Sequence, residues 1–255
     1  MYTVEPLIEK CEGMPWIPIL TCCLYIHVVK RFGSGDKVSW IRCPLDSDDL
    51  DFTLRAWNGG LFCFSMWGVV HTYKHLLNAV LLDNCAPAPV LGDEGRAMGL
   101  FAMSKFVELG DTFFLIIRGR DVRFIHSFHH SSVLLLTWFL FTGKASIGPA
   151  FVALNYLVHV MLYAYYVAAS LPATLKTAKK CGPIVTAAQI IQMVFGFMIS
   201  LKVLIIKFIG SKSCNTSASG ALFALVIYST YLVMFSCLWV ALYGMPWNPK
   251  KQKAK

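Results

Sequence analysis

Seven stretches of mostly apolar residues follow one another along this chain, at roughly 14–29, 55–80, 97–117, 124–141, 148–170, 183–209 and 219–243. A helix needs about 20 such residues to cross the hydrocarbon core of a bilayer, and segments this long satisfy their backbone groups in lipid as helices. The pattern predicts an all-α, polytopic membrane protein with seven transmembrane helices. Short polar links join the stretches, and no repeat or soluble segment stands apart, so a single domain over residues 1–255 is expected. Only 15% of the residues are charged, against about 25% in a soluble domain. The opening residues, MYTVEPLIEKCEG, are polar and acidic where a signal peptide would be basic and then apolar.

The formal net charge of +9 would suit a nucleic-acid partner, but its placement follows the membrane instead. Alternate links carry Lys30, Arg31, Lys37 and Arg42, then Arg118, Arg120 and Arg123, then Lys176, Lys179 and Lys180, with Lys250, Lys251, Lys253 and Lys255 in the tail. These fourteen stand against four on the opposite side, Lys10, Arg96, Lys144 and Lys212. Positive charge collects on cytoplasmic loops, so the C-terminus is expected in the cytosol and the N-terminus across the membrane. The final KQKAK resembles a dilysine retrieval signal and predicts the endoplasmic reticulum membrane. Of nine cysteines, Cys85 and Cys214 fall in links that this topology gives to the oxidising lumen, and they are a candidate disulfide. Asn215-Thr216-Ser217, a glycosylation sequon, shares that side.

Ionisable and amide groups inside spans mark functional sites. In FIHSFHHSSV, His126, His129 and His130 fall within an arc of ~100° at the helical period. Span five, NYLVHVMLYAYY, presents Asn155, His159, Tyr163 and Tyr166 as one stripe. Span three contributes Lys105, Glu108, Asp111 and Thr112, and span six Thr186, Gln189 and Gln192. Four spans thus bring polar groups to one depth in the cytosolic half, which exceeds what gluing helices together requires. His71 and His75 sit ~24 Å or more below residue 55, in the lumenal half, where packing roles are expected. Lys105 with Glu108 and Asp111 can form a buried ion-pair network holding span three, with the structural role favoured for Glu108 and a functional one for Asp111.

These segments resemble the fatty-acid elongase family, the membrane 3-ketoacyl-CoA synthases of the endoplasmic reticulum. HSFHH resembles its H-x-x-H-H box, and WNGGLFCFSMWG, KFVELGDTFF, NYLVHVMLYAYY and TAAQIIQMVFG resemble further motifs in family order, over roughly residues 55–210. The span-five motif is closer to the branch handling saturated and monounsaturated chains, while the Ser-Phe pair inside the box departs from the family's usual aromatic or valine pair. The resemblance implies spans two to seven around an acyl tunnel, with span one outside. It also implies condensation of an acyl-CoA with malonyl-CoA, both substrates, and no cofactor or metal. Candidate protein partners are the reductase and dehydratase of an elongation cycle and a second copy of this chain.

Two other classes were weighed on the residues. Membrane histidine-box oxygenases, desaturases and hydroxylases, gather two metals, but His27, His71 and His75 are separated by depth or side, which leaves four of the seven histidines. A lysine among those four would also oppose a cation. For a seven-span receptor or transporter the convergence of four spans has no use, and a retinal protein needs a lysine that 219–243 lacks. For the condensation, Cys63 is the nearest thiol and has no evident activator. Imidazole attacks thioesters and leaves a reactive acyl-imidazole; the resemblance assigns that acyl group to His129. His159 would assist it by positioning or proton transfer, and His126 and His130 would orient its ring. Asn155, Gln189 and Gln192 are candidate donors to substrate oxyanions, and Lys105, Asp111, Tyr163 and Tyr166 candidate binding groups. Arg118 and Lys179 flank the cytosolic mouth as candidate contacts for CoA phosphates.

Overall fold

A computed structural model describes residues 3–34, 47–80, 85–209 and 213–244. Lys37, Arg42, Lys212 and the lysine-rich tail lie outside the described residues, so their expected positions stay expectations. Ten helices are present among the described residues: α1 (Glu5–Glu12), α2 (Trp16–Phe32), α3 (Ser47–Thr72), α4 (Lys74–Val80), α5 (Gly92–Val107), α6 (Gly110–Ile117), α7 (Phe124–Thr142), α8 (Gly148–Ser170), α9 (Pro172–Ile209) and α10 (Ala218–Tyr243). Three of them, α8, α9 and α10, are long and apolar enough to cross a membrane. A fourth span results if α1 and α2, bent by 68° at their junction, count as one. The other helices fall short by length, as α2, α4 and α6 do, or by the polar groups they carry. The α7 helix carries three histidines, α3 opens on Asp48 and Asp49, and α5 and α6 are separate pieces.

Spans two and three, expected as continuous over 55–80 and 97–117, are each broken. At the end of α3, the Thr72 hydroxyl donates to the Gly68 carbonyl at 2.8 Å and His71 Nδ1 donates to the Trp67 carbonyl at 2.8 Å. Side chains that take up backbone carbonyls compete with the helix ladder, and the chain turns at Tyr73 before α4. Between α5 and α6 the backbone tightens to three-residue steps, Asp111 N–H to Glu108 O at 3.1 Å and Thr112 N–H to Leu109 O at 3.2 Å. In the opposite sense, α9 starts well before the expected 183. Residues 172–181 are mostly exposed and basic yet helical; hydropathy marks the lipid core rather than the end of a helix.

Packing closes a ring of six: α3 against α8, α8 against α9, α9 against α10, α10 against α7, α7 against α5, and α5 against α3. The α2 helix leans on α7 from outside the ring. Small residues allow the closest approaches. A Cβ on Gly196 of α9 would collide with the ring of Tyr228 on α10. Leu136, Leu140, Phe151, Leu154, Ile199 and Ala224 fill the interior from four helices.

One end of the ring is sealed. Cys85 and Cys214 form a disulfide with Cα atoms 4.4 Å apart. Beside it Ser146 and Thr216 share a hydrogen bond of 2.7 Å. Val4 N–H bonds to Val90 O at 3.0 Å, and α1 tucks Val4 and Ile8 into the seal. Asn215 Nδ2 donates to Lys144 O at 3.0 Å. The bridge encloses a long stretch of chain, and cross-links over ~100 residues stabilise by roughly 4–5 kcal/mol in the loop-entropy view. A membrane-impermeant maleimide is therefore expected to label Cys85 and Cys214 only after reduction, with a lower melting temperature in detergent for the reduced protein; labelling without reduction would refute the bridge.

Candidate active site

The junction of α5 and α6 holds a lysine that is 2% exposed inside an apolar bundle. An ammonium has three donors, and each of those of Lys105 is engaged: Glu108 Oε1 at 2.7 Å, Glu108 Oε2 at 3.0 Å and Asn155 Oδ1 at 3.0 Å. The Phe101 ring lies 4.0 Å from Nζ on another side. Ser104 donates to Glu108 Oε1 at 3.0 Å, and His159 Nδ1 lies 4.0 Å from the same oxygen. A buried ion pair survives only when its remaining valences are satisfied, and here they are.

Asp111 does not join this network, contrary to the ion-pair reading of span three. Its two oxygens accept from Trp57 Nε1 at 2.7 Å and from the Tyr163 hydroxyl at 3.3 Å. The break after Glu108 turns it toward α3. Gly110 makes room for this, because a Cβ there would stand 2.8 Å from Trp57 Cζ2. Tyr166 meets Tyr163 edge-on, 6.3 Å between ring centroids.

The three histidines of α7 have three different surroundings. His126 Nε2 shares a hydrogen bond of 2.8 Å with Thr112 Oγ1 of α6. Thr112 Oγ1 shares another, also 2.8 Å, with the Tyr25 hydroxyl of α2. His130 packs its ring 4.3 Å from that of His126 and 5.6 Å from that of His129. His129 faces α10, with Tyr231 at 4.8 Å and Phe235 at 6.2 Å between centroids. Its Nδ1, that of His130, and Gln192 Oε1 are buried without a hydrogen-bond partner.

From His129 a cavity of about 60 Å³ follows α7 through Val133, Leu136 and Leu140 to Lys144, at the sealed end. Among the expected site residues, His129, Asn155 and Gln192 line it. Gln189, on the same helix as Gln192, lies outside the lining. Arg118 is ion-paired to Asp51, and Lys179 is exposed. Tyr228 and Tyr231 also line the cavity, and the Tyr231 hydroxyl shares a 2.7 Å bond with Ser132 and donates to His129 O at 3.3 Å. Sequence reasoning predicted α10 as the span 219–243 but named none of its side chains for the site. Two tyrosines three residues apart in an otherwise apolar span were the available signal. Among the described residues, no group of three or more His, Cys, Asp or Glu side chains is arranged to hold a metal ion.

The GNS1/SUR4 (ELO) family model matches residues 11–254. The chain belongs to this family. Its relatives include very long chain fatty acid elongase 3 of Mus musculus, 36% identical over 91% of this chain and 83% of the relative. Fatty acid elongase 3 of Trypanosoma brucei brucei is 32% identical over 94% of this chain and 88% of its own. Very long chain fatty acid elongase 6 of Drosophila melanogaster is 30% identical over 95% and 76%. None of these three is named for an oxygenase or a receptor. This ELO-family site depends on a filled lysine: Glu108→Gln leaves half of a buried pair, and losses of ~3–5 kcal/mol are usual in that case. Thermal unfolding in detergent is expected to show that loss, and Lys105→Met combined with Glu108→Gln is expected to recover part of it.

Proposed function

We propose that this protein is a 3-ketoacyl-CoA synthase of fatty-acid elongation, joining a fatty acyl-CoA to malonyl-CoA with release of CoA and carbon dioxide. The observation that carries the reading is His129, a buried imidazole with an unengaged ring nitrogen that lines an apolar cavity. The relatives in Trypanosoma brucei brucei and Mus musculus are named fatty acid elongases, which supports the same reaction.

In the first half-reaction an imidazole nitrogen of His129 attacks the thioester carbon, the C–S bond breaks, and CoA leaves as thiolate that takes up a proton. The acyl-imidazole keeps the chain in the cavity and remains reactive. In the second, malonyl-CoA loses carbon dioxide. The resulting enolate carbon attacks the acyl carbon, and the imidazole departs as the C–C bond forms. Both steps pass through an oxyanion, for which preorganised donors in a dry site count most. Asn155 and Gln192 supply them: with Asn155 Oδ1 held by Lys105, its amide N–H groups are free to face the cavity. His159, beside Glu108, is the proton carrier.

The topology that fits this chemistry has seven spans, with the ring of six around the acyl chain, the N-terminus lumenal, the C-terminus cytosolic, and the endoplasmic reticulum as membrane. CoA phosphates then meet Arg118, once it leaves Asp51, and Lys179. Saturated or monounsaturated chains are the proposed substrates, and the reductase and dehydratase of the cycle the proposed partners. Purified protein given labelled malonyl-CoA and acyl-CoAs of graded length is expected to yield 3-ketoacyl products with or without chelator. His129→Ala should lower turnover by about 10³-fold or more while still reaching the membrane; retained turnover would remove the nucleophile.

A further inference from the structure

The α2 helix stands outside the ring, and nothing in the condensation asks for it. Yet it sends two polar groups inward, the Cys22 thiol, which donates to Ser131 O at 3.3 Å, and the Tyr25 hydroxyl. Tyr25 is buried, and its hydroxyl reaches Thr112 Oγ1, which reaches His126 Nε2, each at 2.8 Å. These are the hydrogen bonds that the described residues offer to those three polar atoms, so their direction can be worked out. If His126 Nε2–H donated to Thr112, one of the two hydroxyl protons, that of Thr112 or that of Tyr25, would be left without an acceptor among the described residues in a buried site. An unmatched buried donor costs about 1–3 kcal/mol. In the other direction Tyr25 donates to Thr112 and Thr112 donates to the Nε2 lone pair, so both hydroxyl protons are used, and the imidazole proton goes to Nδ1, which is not one of the buried side-chain atoms left without a partner. His126 is then neutral, with its proton on Nδ1.

The consequence reaches His129 through ring packing. Neither His129 Nδ1 nor His130 Nδ1 has a protein hydrogen bond to fix its ring. His130 rests on His126 at 4.3 Å, and His129 rests on His130 at 5.6 Å and on Tyr231 at 4.8 Å. Of the three imidazoles, His126 is the one anchored by a hydrogen bond to a side chain of another helix.

We propose that Tyr25 and Thr112 are positioning residues, a relay from the peripheral α2 helix that fixes the tautomer and orientation of His126 and, through the tilted and edge-on packing of the rings, aims His129 at the acyl carbon. The proposal rests on the synthase reading for its effect on turnover, but the tautomer does not. Since small misplacements of a reacting group cost up to ~10²-fold, Tyr25→Phe and Thr112→Val should lower kcat by about 10- to 100-fold, with KM for acyl-CoA changed less than about two-fold. Thr112→Ser, which keeps the hydroxyl, should restore kcat. Thermal melts of each variant in detergent separate this loss from unfolding.

The second arm is nitrogen NMR of histidine-labelled protein in micelles, with His126 assigned by its loss in His126→Gln. Nε2 of His126 should read as an unprotonated ring nitrogen in the wild type and in Thr112→Ser, and lose that preference in Thr112→Val. A wild-type His126 carrying its proton on Nε2 would overturn the relay, as would wild-type kcat in both Tyr25→Phe and Thr112→Val. Wild-type protein that fails to condense would count against the synthase reading instead, and the NMR arm then decides the relay alone.

Discussion

An ammonium sealed inside a lipid-embedded helix bundle must have all three of its protons taken, and the packing around Lys105 follows from that requirement. Glu108 takes two and Asn155 one, which ties α5 to α8. The same carboxylate draws in Ser104 and stands 4.0 Å from His159. The helix breaks directly after it, and the break releases Asp111 to Trp57 and Tyr163. One ion pair therefore sets the register of α3, α5, α6 and α8 around a common depth. Replacing it with apolar residues could match its stability, but would lose the orientation it gives to Asn155.

Against that rigid side stands a softer one. The α7 histidines are held by ring packing and by one hydrogen-bonded anchor, and α10 supplies tyrosines rather than charges. The result is a division of labour suited to acyl transfer. The Asn155 and Gln192 amides and an imidazole with an open nitrogen line one narrow apolar cavity, and a disulfide pins one end of the helix ring. An imidazole already saturated with hydrogen bonds would be a poor nucleophile, so the missing partner at His129 suits the proposed role.

Much of this was legible in the sequence because membranes penalise polar groups without a purpose. The stripe from Asn155 to His159 and Tyr163, the HSFHH box and the Lys105–Glu108 pair stood out for that reason, and ring closure by six helices matches the arrangement the resemblance implied. Three features were not readable. The breaks at Tyr73 and at Glu108–Leu109 arise from side chains capturing backbone carbonyls and from a carboxylate folding back on its own helix, which hydropathy does not register. The departure of Asp111 from the Lys105–Glu108 pair was hidden because spacing alone cannot show that a break turns it to Trp57. The tyrosines of α10 and of α2 were overlooked because a tyrosine in an apolar span reads as bulk, although its hydroxyl must find a partner when buried.

The most direct test of histidine-based acyl transfer is the covalent state itself. Purified protein is incubated with a long-chain acyl-CoA in the absence of malonyl-CoA, quenched, digested and examined by mass spectrometry. An acyl mass on the peptide carrying His129, discharged when malonyl-CoA is added, is the predicted result. An acyl group found on a cysteine, or full turnover with no acylated protein at any time, would contradict it.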